Sequence, residues 1–231
     1  KYNRRTLFRM KQFYKVFSNE KVSPMVTQLN WTHCLILISL KNYNKIYYYA
    51  NECIKLKLTK RQLEERIKSK EYERLSESAK TKLIANEEPL LSDLVKNPIL
   101  IKKTNKYTEI SEKVLQQIIL ENIESFMEEL GSGFSYIAKE YPIKIGNNYN
   151  YIDLLLYNIE FNCYVVIELK VTKLKKEHIG QIEFYMNYID RYIKKPNQDK
   201  TIGIIICKKD NEYIIEYCSD KKIISREFEL V

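Results

Sequence analysis

The chain has 231 residues, 45% of them hydrophobic, so it can bury one large core or two small ones. Its formal net charge is +9, and no apolar run is long enough to span a bilayer. The basic N-terminal segment lacks the apolar core of a signal peptide, so we expect neither a membrane protein nor a secreted one. Five cysteines occur singly, which favours buried free thiols in a reducing cytoplasm over disulfides or a zinc site.

The positive charge is concentrated in the first half of the chain. Residues 1–110 contain 23 Lys and Arg against 11 Asp and Glu, whereas residues 111–231 contain 16 against 19. A compositional bias toward lysine would raise both halves alike, so the asymmetry indicates a first half that binds a polyanion. The excess of acid in the second half needs its own explanation.

Residues 1–85 place apolar side chains at helical spacing and form a predicted helical domain. Its first helix, residues 4–17, is amphipathic and basic, so Arg4, Arg5 and Arg9 are candidate contacts for nucleic-acid phosphates. The alternative is a helix that packs on the core and turns its basic face to solvent.

A later helix in this domain begins with a capping signal. Thr59 lies three residues before Gln62, which is the spacing of a capping box, and basic residues follow Thr59 directly. Lys60 and Arg61 are therefore further candidates for nucleic-acid contact. Several short helices that end in a basic one are typical of helix-turn-helix and winged-helix modules, although many small helical domains share this pattern.

Residues 86–111 contain two prolines and a polar run, and we predict that they form a linker between two domains. Ser111 and Glu112 then open a long predicted helix that ends at Gly131. Among the acids of this helix, Glu129 lies on the flank of the apolar face, whereas the others lie opposite it. Glu129 is therefore the helix acid expected to point toward the core.

Residues 112–231 form a second predicted domain, in which strands follow this helix. Two strands meet at a polar turn over residues 146–148, and a third strand, a helix and an almost wholly apolar strand come next. The order is helix, three strands, helix and strand, with one more strand appended. The predicted strands are residues 134–145, 148–158, 162–171, 201–209 and 212–218, and the helix between them is residues 175–194.

Two of these strands carry charge inside apolar runs. Asp153 lies within YIDLLLY, and Glu168 and Lys170 close VVIELK. Unpaired carboxylates in covered strands are strongly destabilising, so a divalent metal and Lys170 are the predicted counter-charges. Asp153, Glu168 and the backbone carbonyl of Leu169 would ligate Mg²⁺ or Mn²⁺. Lys170 would orient and activate a water for attack on phosphorus, and Glu129 would add a ligand or support one.

The same residues resemble the PD-(D/E)XK nuclease superfamily. Its signature here is Ile152-Asp153, followed after a fourteen-residue gap by Glu168-Leu169-Lys170. The runs YIDLLLY, VVIELK, GQIEFYMNYID and TIGIIICK are similar to the nuclease domain of bacterial YhcG-type proteins, and QLNWTHCLILI with RQLEERIKSKEYERL is similar to their N-terminal domain. The resemblance covers nearly the whole chain. It implies an α+β protein in which a restriction-endonuclease-like αβββαβ domain follows a helical DNA-binding domain.

The resemblance also implies roles for single residues. Asp153, Glu168 and Lys170 match the metal and lysine positions of the family, and Glu129 matches its helix acid. Gln181 matches a polar helix position that approaches the active site or the DNA backbone in related nucleases.

Two features depart from the family pattern. Lys139-Glu140-Tyr141 stands where the family has Arg-Gln before a tyrosine, so no role of that glutamine carries over. The family's N-terminal domain starts earlier than Lys1, so we expect part of the DNA-binding module to be missing from this chain.

Two functions are compatible with these observations. The leading hypothesis is a cytoplasmic Mg²⁺-dependent endonuclease that cleaves DNA in defence, repair or recombination, and paired cuts would favour a homodimer. The alternative is a nucleic-acid-binding or assembly subunit of a larger defence or repair complex that uses the nuclease fold as a scaffold. The non-catalytic interpretation of the charged residues is a capped acid at Asp153 and a surface ion pair between Glu168 and Lys170.

Overall fold

The computed structural model describes residues 3–18, 22–85, 87–103, 107–218 and 220–231. The chain divides into two compact units, Lys1–Pro89 and Leu90–Val231. The first unit is helical and the second is built on a six-stranded mixed sheet. The predicted α+β fold class, with a helical region followed by a nuclease-like αβββαβ unit, is confirmed.

The first unit packs short helices around an apolar core that includes Leu37, Tyr49 and Leu63. The predicted capping box is confirmed: the Gln62 N–H donates to Thr59 Oγ1, and the Thr59 N–H donates to Gln62 Oε1. The helices are α1 (Arg4–Phe17), α2 (Trp31–Leu37), α3 (Tyr43–Leu56), α4 (Lys60–Lys68) and α5 (Glu77–Ala85), with short 3-10 helices at Ser23–Gln28 and Ile38–Leu40.

Part of the segment predicted as a linker belongs to the second unit. Helix α6 (Leu91–Leu94) and strand β1 (Ile99–Ile101) both lie within residues 86–111, and β1 joins the edge of the sheet. The guanidinium of Arg226 holds this segment by donating to the carbonyls of Ser92 and Val95 at 2.6 and 2.8 Å. Apolar burial and these bonds outweigh the proline and polar signals that suggested a linker.

The long predicted helix is divided in two at Asn122. Helix α7 spans Glu112–Glu121 and α8 spans Ile123–Leu130, and Asn122 between them has φ −130° and ψ 39°. The Asn122 side-chain amide donates to the carbonyl of Ile118, the kind of local bond by which asparagine competes with the helical ladder. The segment is therefore two helices, α7 and α8, and not one continuous helix.

The sheet has the strand order β1-β6-β5-β4-β3-β2. Strands β2, β3 and β4 are antiparallel neighbours, whereas β4, β5, β6 and β1 run parallel. Helix α9 connects β4 to β5, as a parallel pair requires. The strands are β2 (Phe134–Ile145), β3 (Asn148–Asn158), β4 (Cys163–Lys173), β5 (Asp199–Lys209) and β6 (Ile223–Leu230), and the helices are α9 (Lys176–Tyr192) and α10 (Glu212–Glu216).

The strand predicted at residues 212–218 is wrong, because this segment forms α10 and the appended strand is β6. Ile214, Ile215 and Cys218 pack against the core, and this spacing fits one side of a helix. Tyr213 and Tyr217 lie on the other side and are 75% and 84% exposed. A short apolar run does not distinguish strand from helix by periodicity alone.

Two apolar layers cover the faces of the sheet, one under α7 and α8 and the other under α9. Ile152 and Leu155 both pack in the α9 layer, although residues three apart on a regular strand point to opposite faces. The alternation of β3 side chains between the two faces of the sheet is therefore interrupted close to Asp153. On the neighbouring strand β2, Glu140 has a left-handed φ of 45° in the matching register.

The buried cysteines are Cys34, Cys53, Cys163 and Cys207, and all five cysteines are free thiols. Over the residues that the structure describes, no helix is both long and apolar enough to cross a membrane.

Candidate active site

Asp153 lies where strands β3 and β4 part. Main-chain pairing between the two strands ends at Leu154 and Ile167. Just beyond, Asp153 Oδ2 accepts a hydrogen bond from the Leu169 N–H at 2.8 Å. The carboxylate thus replaces a main-chain partner and is held at the edge of β4.

Glu168 is the neighbouring acid on β4, and its residue is only 1% exposed. Its Oε1 accepts a hydrogen bond from Lys170 Nζ at 2.7 Å. Its Oε2 is buried and has no hydrogen-bond partner among the described residues. Burial and the Asp153 charge raise the pKa of Glu168 to about 7, against the lowering influence of Lys170. A buried carboxylate oxygen without a partner is the most unusual feature of the site.

Lys170 is the cation of the site. Its side chain is 12% exposed and lies 2.7 Å from Glu168 Oε1 and 3.5 Å from Glu112 Oε2. Burial lowers the pKa of Lys170, but the Glu168 hydrogen bond and the charges of Glu168, Glu112 and Asp153 raise it above its ordinary value. Lys170 is therefore charged at neutral pH. Burial likewise raises the pKa of Asp153, and the Leu169 bond and Lys170 offset only part of that rise.

Helix α7 contributes two residues that the sequence analysis did not assign to the site. Glu112 contacts Lys170, and Gln116 Nε2 donates to the main-chain carbonyl of Asp153 at 2.9 Å. Both residues lie on one side of the helix because they are four positions apart. The signal available in the sequence was the position of Gln116, a polar residue directly beside Leu115 in the apolar stripe of the helix.

Glu129 lies elsewhere in the unit. Its Oε1 accepts a hydrogen bond from the Leu100 N–H of β1 at 3.0 Å, and its Oε2 lies 3.7 Å from Lys96 Nζ. Strand β1 is three strands from β4, which is roughly 14 Å at ordinary strand spacing. The structure therefore does not bring Glu129 to Asp153 and Glu168, and Glu112 is the helix acid that lies beside them.

Helix α9 borders the site with polar side chains. Gln181 Nε2 donates to Tyr185 Oη at 3.0 Å. Burial raises the pKa of Tyr185, and the charges of Glu168 and Asp153 raise it further, so this hydroxyl lies within their electrostatic reach. Among the described residues, Gln181 has a hydrogen bond to Tyr185 and none to Asp153, Glu168 or Lys170. His178 Nδ1 accepts the Lys175 N–H at the helix start, and burial, with the Lys170 charge, lowers its pKa.

The five candidate nucleic-acid contacts all lie in the helical unit. Arg4 and Arg5 are exposed on α1 and Arg9 is half-buried. In the described part of the chain these three arginines form no ion pair. Lys60 and Arg61 are exposed at the start of α4 and pair along the helix with Glu64 and Glu65 at 3.5 and 3.1 Å. Exposed pairs of this kind are weak and leave both cations available.

The site offers oxygen donors for a cation. Over the described residues, no group of three or more His, Cys, Asp or Glu side chains has metal-binding geometry. Two carboxylates remain, from Asp153 and Glu168, and both are hard oxygen ligands of the kind that Mg²⁺ and Mn²⁺ prefer. Magnesium usually takes one or two carboxylates and keeps several waters, so a two-carboxylate site fits such an ion.

Comparison with known proteins gives matches over both units of the chain. A family model described as "YhcG PDDEXK nuclease domain" matches residues 92–230, and a model described as "DUF1016 N-terminal domain" matches residues 1–74. The curated protein "Putative nuclease YhcG" of Escherichia coli (strain K12) is 27% identical over 177 residues, which cover 74% of this chain and 47% of that protein. The chain therefore spans about half the length of this relative.

Solved structures show a looser similarity. A repair endonuclease from Pyrococcus abyssi is 21% identical, with 55% of this chain and 49% of that chain covered and a TM-score of 0.35. The "EndoMS-dsDNA2 complex" is 20% identical, with 56% and 49% covered and a TM-score of 0.35. Similarity at this level carries no functional argument.

Proposed function

Because this chain belongs to the YhcG PDDEXK nuclease domain family, we propose that it is a metal-dependent endonuclease that hydrolyses phosphodiester bonds of DNA. The proposal includes a cytoplasmic location and a role in DNA defence, repair or recombination. It rests on the site formed by Asp153, Glu168 and Lys170, and each role below is part of the proposal.

The observation that carries the proposal is the unpaired oxygen of Glu168. This Oε2 is buried without a hydrogen-bond partner in the described structure, while the neighbouring Asp153 raises the pKa of the same carboxyl. An arrangement of this kind is costly unless a ligand completes it. Asp153 and Glu168 would hold Mg²⁺ or Mn²⁺, which when bound neutralises the two carboxylates and acts as a Lewis acid on the phosphoryl group.

The main chain supplies a further candidate ligand. The N–H and C=O groups of one strand residue point to the same side, and the Leu169 N–H points toward Asp153. The Leu169 carbonyl therefore faces the gap between β3 and β4, where pairing has ended. This orientation supports the prediction that the carbonyl of Leu169 completes the ligand set.

Lys170 has the position and charge to act on the reacting phosphate. Its ammonium is fixed by Glu168 and Glu112 and keeps one further donor, since an ammonium has three. That donor would orient the attacking water and stabilise the negative charge that develops on the phosphoryl oxygens. The raised pKa keeps Lys170 protonated, so it acts through charge and hydrogen bonding and not as a base.

Three other residues position this machinery. Gln116 fixes the main chain of Asp153, and Glu112 is a second acid in contact with Lys170. Gln181 would contact the substrate or hold Tyr185 toward it. These residues would affect the rate through the residues that they orient.

DNA would be attracted first by charge. Arg4, Arg5, Arg9, Lys60 and Arg61 provide cations in the helical unit, and the first 110 residues carry most of the positive charge. Binding through such contacts should weaken steeply as salt rises, because phosphate contacts release counterions.

A nuclease assay on linear, supercoiled and branched DNA, with and without Mg²⁺, tests the proposal. Asp153→Asn, Glu168→Gln and Lys170→Ala should each lower metal-dependent cleavage at least about 100-fold while DNA binding persists. Glu129→Gln is the matched control and should cleave normally. Undiminished cleavage by the first three variants contradicts the proposal. DNA binding by the wild type without any metal-dependent product supports the alternative of a binding or assembly subunit.

A further inference from the structure

A cleft of about 720 Å³ opens between the first half of α9 and α10, on the far side of α9 from the residues that border the active site. Ile179, Gly180 and Ile214 are apolar residues of its lining. Lys176, Tyr213, Tyr217, Asn211 and Cys218 complete its lining. We propose that this cleft binds an unpaired nucleotide of a single-stranded segment, which deepens the proposed function and rests on it for the identity of the substrate.

Two exposed tyrosines are the first ground for this proposal. Tyr213 lies on α10 and Tyr217 directly follows it, and both residues line the cleft. They are 75% and 84% exposed, whereas Ile214 and Ile215 pack on the core. Exposed aromatic rings beside a groove are the platforms on which proteins stack unpaired bases.

Gly180 is the second ground. It lies inside a 17-residue helix, where glycine is less favourable than alanine by about 1 kcal/mol. A Cβ at this position would meet nothing within 4 Å, so no close packing requires glycine there. Its effect on the structure is to leave open space where a side chain of α9 would otherwise line the cleft.

The charge around the cleft suits a phosphate chain. Lys176 lines the cleft, and Lys173, Lys175, Lys208 and Lys209 lie exposed at the adjoining ends of β4 and β5. None of these five lysines has an ion pair in the part of the chain that the structure describes. Glu177 and Glu216 are also exposed nearby, so attraction of phosphate is moderate and stacking must supply much of the affinity.

The chemistry of the cleft favours unpaired bases over duplex. In a duplex the base faces are stacked on each other and cannot reach a tyrosine ring unless a base leaves the stack. The cleft also lies on the helix that carries His178 and Gln181, which border the active site. A strand seated in the cleft would therefore lie across α9 from the active site.

Fluorescence anisotropy with a labelled oligothymidylate of about 12 nucleotides tests this inference on the full chain, with EDTA present to prevent cleavage. Tyr213→Ala and Tyr217→Ala should each raise the Kd about 10-fold, whereas the matching Phe variants should bind within roughly twofold of the wild type. Affinity for a duplex of the same length should change little. Gly180→Leu should block the cleft and weaken binding of the oligonucleotide while the helix is preserved.

Tyr192→Ala is the matched control, since Tyr192 is 62% exposed on α9, stacks with Arg191 and lies outside the cleft. Unchanged oligothymidylate binding in the Tyr213, Tyr217 and Gly180 variants overturns the inference and makes a protein partner the better occupant. An equal loss in Tyr192→Ala, or no binding by the wild type, overturns it as well. Asp153→Asn should bind oligothymidylate normally, so failure of cleavage and failure of the cleft are separable.

Discussion

Two clusters of buried charge in this chain differ in how completely they are paired. In the helical unit, Arg66 Nη1 lies 2.9 Å from Glu52 Oε2 and 3.1 Å from Glu71 Oε1. In the sheet unit, Lys170 lies among Glu168, Glu112 and Asp153.

The two clusters differ in whether each buried carboxylate oxygen has a hydrogen-bond partner. Among the described residues, every buried carboxylate oxygen of the Arg66 cluster has a partner, whereas Glu168 Oε2 has none. Arg66 pairs with two acids across two helices and a turn, whereas Lys170 lies among three acids in the sheet unit. A cluster that stabilises a fold is complete by itself, while a cluster that binds a charged ligand is incomplete without it.

The largest effect should follow from breaking the complete cluster. Arg66→Met leaves Glu52 and Glu71 without their shared cation and should lower the free energy of unfolding by about 3 kcal/mol. Urea denaturation followed by circular dichroism measures this loss. Arg61→Met removes an exposed ion pair with Glu65 and should change stability by less than about 1 kcal/mol. Equal losses in both variants would show that burial of the Arg66 cluster contributes nothing.

A substitution in the incomplete cluster around Lys170 should change the free energy of unfolding in the opposite direction. Glu168→Gln removes a buried charge and should raise the free energy of unfolding by about 1–3 kcal/mol at pH 8 without metal. Because the pKa of Glu168 rises from 4.5 to about 7 on folding, the folded state retains a proton that the unfolded state releases, and stability falls as pH rises through this window.

The increase in the free energy of unfolding caused by Glu168→Gln should therefore be smaller at pH 5 than at pH 8, because Glu168 is protonated in the folded wild type at pH 5. Thermal unfolding in EDTA at both pH values measures it. Glu112→Gln, whose parent side chain is 46% exposed, is the control and should show little change at either pH. A loss of stability in Glu168→Gln at pH 8 would mean that this charge is already satisfied within the fold.

A smaller effect, on the rate of cleavage, should distinguish Glu112 from Glu129. Glu112→Gln weakens one support of Lys170 and should lower the rate of metal-dependent cleavage about 10-fold. Glu129→Gln should leave that rate unchanged, because its partners are Lys96 and the Leu100 N–H. Steady-state cleavage at saturating Mg²⁺ compares the variants, and a loss in Glu129→Gln with none in Glu112→Gln would reverse the assignment.

Much of this architecture was predictable because local signals agreed with the fold. The strands predicted at residues 134–145 and 148–158 match β2 and β3, since alternation and a polar turn mark both. The prediction failed where apolar runs were short: α10 was taken for a strand, and β1 lay in a presumed linker. Their state depends on tertiary partners, such as the Arg226 contacts with Ser92 and Val95.

The candidate site was predictable only in part. Asp153, Glu168 and Lys170 stand out as charges in apolar strands, and the structure brings them together. Glu129 does point inward, as the helical projection predicted, but it contacts strand β1 and not β4. Which strand each end of this segment meets depends on tertiary packing, and a helical projection does not show it.

Binding of Mn²⁺ measured by isothermal titration calorimetry tests the central claim most directly, because it requires no substrate. Wild type and Glu129→Gln should bind the ion, while Asp153→Asn and Glu168→Gln should lose that binding event. Arg66→Lys, which keeps the cation of the complete cluster, should bind as the wild type does. Equal binding of Mn²⁺ by wild type and Glu168→Gln would contradict the claim that the unpaired oxygen of Glu168 serves a cation.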